Sequence, residues 1–176
     1  MDELNPVAFS VRFNTINNLD VFVKRTFKEL VIDNLIQLKK DYSINVYGYL
    51  IMTDQIGLVI APENKKDLNL FCERFKQNVS QKIMELLEGD SFTEKRWLLF
   101  LVNFINKDNS EAGSNKIWNL DYAMKPLHNS EEIEQELDEL YKRPIEQGVV
   151  TKAEDYNFSS CKENAVEVFF LNREAV

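Results

Sequence analysis

Two strand-forming runs with three residues between them constrain this chain more than any other feature. Ile44 to Met52 and Ile56 to Ala61 are rich in β-branched and aromatic residues and flank Thr53-Asp54-Gln55, a spacing that predicts two strands of an antiparallel hairpin. Upstream, Val7-Ala8-Phe9-Ser10-Val11-Arg12-Phe13 alternates apolar and polar residues with the period of a half-buried strand. Between that strand and the hairpin, Val23, Phe27, Leu30, Val31, Leu35 and Leu38 fall on one face of an amphipathic helix from Asp20 to about Asp41, with Asp20 as its N-cap. Pro62 closes the hairpin. A second helix then runs from Asp67 to Gly89 on Leu68, Phe71, Cys72, Phe75, Val79, Ile83 and Leu86.

The order βαββα predicts an α+β fold: a ferredoxin-like core with an antiparallel sheet and helices packed on one face. Beyond it, Trp97 to Ile105 is almost wholly apolar and is read as a helix, and Lys107 to Lys116 as an exposed loop. Ile117 to Leu120 resumes an extended segment. Ser130 is placed at the N-cap of a late helix with an acidic first turn and an apolar face of Ile133, Leu137 and Leu140, stopped or kinked by Pro144. Val166 to Leu171 has strand character. With 176 residues, 44% of them hydrophobic, one domain over 1–176 is expected, its core at about 7–90 and its late elements at about 97–171.

Several chemistries find no support. The lone His128, in a polar turn, cannot build a histidine-based metal cluster. No Gly-rich phosphate loop or nucleophile elbow is present, and neither Cys72 nor Cys161 lies near a histidine or in C-x-x-C spacing, so both are read as reduced thiols. Carboxylate pairs such as Glu131-Glu132 and Glu134-Glu136 are read as a solvated helix face. No run approaches the roughly 18 apolar residues that span a bilayer, and Met1-Asp2-Glu3 does not open a secretory leader. The expectation is a cytoplasmic protein without membrane contact. Its 21 Lys and Arg against 29 Asp and Glu give a net charge of −8, which opposes strong binding to a phosphate backbone.

Several phrases, in order, resemble the HUH single-tyrosine transposases, the REP-associated and insertion-sequence group. They are the strand Ile44-Asn45-Val46-Tyr47-Gly48-Tyr49-Leu50-Ile51-Met52, the pair Phe75-Lys76, Ile117-Trp118, Pro144-Ile145-Glu146-Gln147-Gly148-Val149-Val150, and Ala153-Glu154-Asp155-Tyr156-Asn157-Phe158-Ser159-Ser160. The resemblance spans most of the chain. It implies DNA binding and transposition, a divalent metal such as magnesium or manganese, a homodimer, and single-stranded or hairpin DNA as partner.

The same resemblance places the active-site residues, and there the chain departs from it. The metal-binding histidine pair falls on Gln55 and Gly57, the nucleophilic tyrosine on Glu139, and a further polar ligand on Arg143. A glycine has no ligand atom, a guanidinium repels a cation, and a carboxylate cannot make the phosphotyrosine-type linkage. Asp54 precedes the pair but should face the other way along a strand. Tyr141 lies two residues from Glu139, about 200° around the helix. Glu139 and Arg143 have the spacing of a helix ion pair instead. The expectation is therefore an inactive homologue with no catalytic residue, metal ligand or cofactor retained. DNA contact, if kept, would be weak and would use Lys65, Lys66, Arg74, Lys76 and Lys82 around the second helix. The alternatives are a dimeric interaction module without DNA binding and an active enzyme with relocated residues.

Overall fold

The computed structural model describes residues 6–88 and 117–161. Strands β1 (Ala8–Asn14), β2 (Ile44–Ile51) and β3 (Gln55–Pro62) and helices α1 (Arg25–Asp41) and α2 (Lys65–Glu88) appear in the expected order. A fourth strand, β4 (Ala123–Leu127), and helix α3 (Ser130–Glu146) follow. The sheet is antiparallel, with strand order β2-β3-β1-β4. This is the α+β arrangement anticipated from the hairpin and its flanking elements. The readings of Trp97 to Ile105, Lys107 to Lys116 and Val166 to Leu171 lie outside the described residues.

Strand alternation sorts the sheet's side chains into two cores. On one face Val11, Phe13, Ile56, Leu58 and Ile60 pack against Val31 and Leu35 of α1 and Phe71, Phe75 and Val79 of α2. Aromatic rings close this core: Phe13 lies 5.1 Å from Phe75, and Phe22 5.5 Å from Trp118, centroid to centroid. On the opposite face Ala8, Leu50, Val59, Ala61 and Leu127 meet Ile133, Leu137 and Leu140 of α3. The helices of the βαββα core share one face, as anticipated, and the late helix covers the other.

Several boundaries moved for tertiary reasons. α1 begins at Arg25, and Asp20 caps nothing with its side chain. Val21 and Phe22 are buried in a 3-10 turn, where the Phe22 N–H donates to Thr53 O, so burial overrides the helical periodicity there. The N-cap of α3 is Asn129, whose side chain accepts from Glu132 N. The helix continues past Pro144 to Glu146. The sequence does not predict β4 because its two large apolar residues, Met124 and Leu127, fall on opposite faces and Pro126 interrupts it, a residue tolerated mainly on edge strands. Ile117 to Leu120 runs beside the end of β1, bridging Trp118 to Thr15.

A strap over residues 153–161 closes the β2 edge. Phe158 O accepts from Ile51 N at 2.9 Å, and Ser160 N donates to Tyr49 O at 3.0 Å. Below it Lys28 Nζ donates to Tyr156 Oη, which donates to Ile51 O, both at 2.8 Å.

Candidate functional site

The register fixes what lies under α3. Arg12 pairs with Gly57, Asn14 with Gln55, and Ser10 with Lys125. Directly opposed residues of an antiparallel pair share a face, so Gln55, Gly57, Ser10, Arg12 and Lys125 all belong to the face that α3 covers.

Gly57 is where α3 comes closest. A Cβ at this position would lie 2.4 Å from Leu140 Cδ1, and one at Gly48 would lie 2.3 Å from Leu137 Cδ2. A side chain at either glycine would therefore force these leucine side chains to shift, since contacts that short are excluded by hard-core repulsion. Next to Gly57, Gln55 spends its amide N–H on Asn14 Oδ1.

Glu136, one turn before Leu140, anchors the charged part of the site. It is 1% exposed, which contradicts its reading as a solvated acid. Its Oε1 accepts from Ser10 Oγ at 2.7 Å and Arg12 Nη2 at 2.6 Å, and its Oε2 from Lys125 Nζ at 2.7 Å. Burial alone would push this carboxyl's pKa up. The hydrogen bonds from Lys125, Ser10 and Arg12 outweigh that and hold it below its ordinary value. The same bond to Glu136 raises the pKa of Lys125.

Glu139 faces the β1 and β4 side, 64% exposed and 3.9 Å from Arg12. It lines a cleft of about 220 Å³ with Ser10, Arg12, Lys125 and Glu136. Among the described residues the expected Glu139–Arg143 ion pair is not formed, and Glu139 lies at 3.9 Å from Arg12 instead. Burial, followed by the repulsion of Arg12, lowers the pKa of Arg143, against the attraction of Asp54, Glu146 and Glu136. Tyr141 lies on the other flank of α3, its hydroxyl 2.8 Å from Ser160 Oγ of the strap. It also lines a cleft of about 430 Å³ with Tyr47 and Leu137. Glu139 and Tyr141 thus open onto opposite sides of the helix.

This donor set does not suit a divalent cation. Leu140 fills the space over Gly57, the Gln55 side chain is oriented by its N–H bond to Asn14, and Arg12 and Arg143 bring positive charge to the same face. Among the described residues, no group of three or more His, Cys, Asp or Glu could hold a metal ion.

Gln55, Gly57, Glu139 and Arg143 therefore gather on one side of the sheet, whereas the basic candidates do not join them. Lys65, Lys66, Arg74 and Lys82 ride on α2, across the sheet from α3. Lys76 is withdrawn from any phosphate. It is 1% exposed, and its ammonium donates to Leu120 O at 2.8 Å over the Tyr122 ring. Its own backbone carbonyl accepts from Trp118 Nε1. Sequence reasoning missed Ser10, Arg12, Lys125 and Glu136 as a set. The available signal was a glutamate on the apolar stripe of Ile133, Leu137 and Leu140.

No family model matches the chain, and no curated protein is significantly similar to it. Among solved structures, the structure of a REP-associated tyrosine transposase bound to a REP hairpin is similar with a TM-score of 0.61. The likeness covers 88% of this chain and 76% of that one at 13% identity. The two chains share a fold. A candidate transposase from Deinococcus radiodurans R1 is a weaker likeness, at TM-score 0.48 and 13% identity over 80% of this chain and 95% of that one. Within this shared fold, the face under α3 carries Gln55, Gly57, Glu139 and Arg143. No helix among the described residues is long and apolar enough to cross a membrane.

Proposed function

We propose that this chain is a non-catalytic transposase-like domain that keeps weak contact with single-stranded or hairpin DNA. The observation that carries the loss of catalysis is the packing of Leu140 over Gly57. At 2.4 Å from where a Cβ would be, it leaves no room for an imidazole, while Glu139 offers a carboxylate where the resemblance implies a tyrosine. Tyr141 does not replace it, being bonded to Ser160 on the opposite flank of α3.

DNA contact is supported by the fold, whose neighbour holds a REP hairpin, and is weakened by the net charge of −8. The surface assigned to it is Lys65, Lys66, Arg74 and Lys82 on α2, with Lys76 removed. A cytoplasmic setting, expected from the sequence, and a homodimer, implied by the resemblance, belong to the same proposal, and light scattering tests the dimer. The deciding experiment incubates labelled single-stranded and hairpin oligonucleotides with the protein at low salt, with manganese or magnesium. A mobility shift without a covalent adduct is expected. A tyrosine adduct overturns the loss of catalysis, and no shift at micromolar protein overturns DNA contact.

A further inference from the structure

Glu136 stands on the apolar face of α3 beside Ile133, Leu137 and Leu140, and a carboxylate there is strongly disfavoured unless fully paired. It is fully paired, and its partners come from two different strands: Ser10 and Arg12 from β1, Lys125 from β4, at 2.6 to 2.7 Å. One turn further on, Leu140 closes over Gly57 of β3. The helix is therefore tied to three adjacent strands by one carboxylate and one leucine.

We propose that this carboxylate-centred joint seats α3 on the sheet by the chain's own charges, at the place where the resemblance implies a metal shared by sheet and helix. The seating of α3 is then independent of divalent metal. The inference rests on the non-catalytic reading only in taking Gln55, Gly57 and Arg143 as the altered metal positions. The hydrogen bonds of Glu136 stand without it.

The test is thermal unfolding of the full chain in EDTA, in manganese chloride and in magnesium chloride. The proteins are the natural chain, Glu136→Gln, Lys125→Met and the double variant. The natural chain should melt at the same temperature in all three solutions. Each single substitution should lower that temperature, and the double should lower it by less than the sum, because the second change finds the joint already broken. Hydrogen exchange should quicken in α3 and not in α1. A melting temperature raised by manganese overturns the proposal, and so do additive shifts. If Glu136→Gln does not fold, Lys125→Met with Ser10→Ala supplies the same cycle from milder changes. A DNA adduct would remove the non-catalytic reading and leave this cycle intact. An additive cycle without an adduct would remove the joint alone.

Discussion

Leu140 occupies the space that any side chain at position 57 would need, with Cδ1 lying 2.4 Å from where the Gly57 Cβ would stand. Leu140 is 2% exposed and belongs to the same buried cluster as Val59 and Leu137, so its displacement would disturb that core. Gly57→Ala should therefore destabilise the protein by about 1–3 kcal/mol, the usual cost of overpacking a core. Leu140→Ala alone should cost about 2–5 kcal/mol, and the two together less than their sum. Urea unfolding of the three variants measures this, and additive losses would count against the contact.

The buried carboxylate predicts a pH dependence. Since Glu136 titrates below its ordinary value in the folded chain, the folded state holds its charge more firmly than the unfolded state does. Its contribution is present above the ordinary glutamate pKa and is lost as pH falls through the lowered value. Melting temperature should drop in that acidic window, and Glu136→Gln, though less stable at neutral pH, should show a flatter profile. Parallel profiles for the two proteins would contradict the assignment.

Lys76 should behave as a core residue. Lys76→Ala removes a buried stem and leaves Leu120 O without its donor, for a loss of about 1–3 kcal/mol. Single-stranded DNA affinity at low salt should not change in the folded variant. Paired removal of Lys65 and Lys66, both exposed, should weaken any such affinity and reduce its salt dependence. Electrophoretic titration at two salt concentrations separates the two outcomes.

Tyr156→Phe should cost about 1–3 kcal/mol, because the hydroxyl both accepts from the buried Lys28 ammonium and donates to Ile51 O. Calorimetric unfolding would show it. A neutral substitution would mean that Lys28 finds another acceptor.

The elements that could be read in advance were those whose own residues carry the period. The β2–β3 hairpin is a pair of apolar, β-branched runs buried largely on both faces, and α1 and α2 each bury one regular face, so their pattern survives in the linear text. β4 did not, since a five-residue edge strand containing Pro126 has too little alternation to register. At the site, the assignment of Gln55, Gly57, Glu139 and Arg143 to the family's active-site positions rests on the phrases matched around them. What fills their place was not visible. Nothing in the order of residues links Ser10 to Glu136, 126 positions away, and a charged residue on an amphipathic helix ordinarily faces water. Lys76 misled for the converse reason: its neighbours Arg74 and Lys82 suggested a basic surface, but Trp118 and Tyr122 enclose it.

The strap from Tyr156 to Ser160 also has a bearing on how the molecule keeps to itself. By giving Tyr49 and Ile51 their backbone partners, it occupies a margin of the sheet that would otherwise accept a foreign strand. Shortening the chain before Tyr156 would strip that margin, and the product should form fibrous or amorphous deposits at concentrations the full chain tolerates. The segment beyond α3 would then be what separates a dissolved protein from an aggregate.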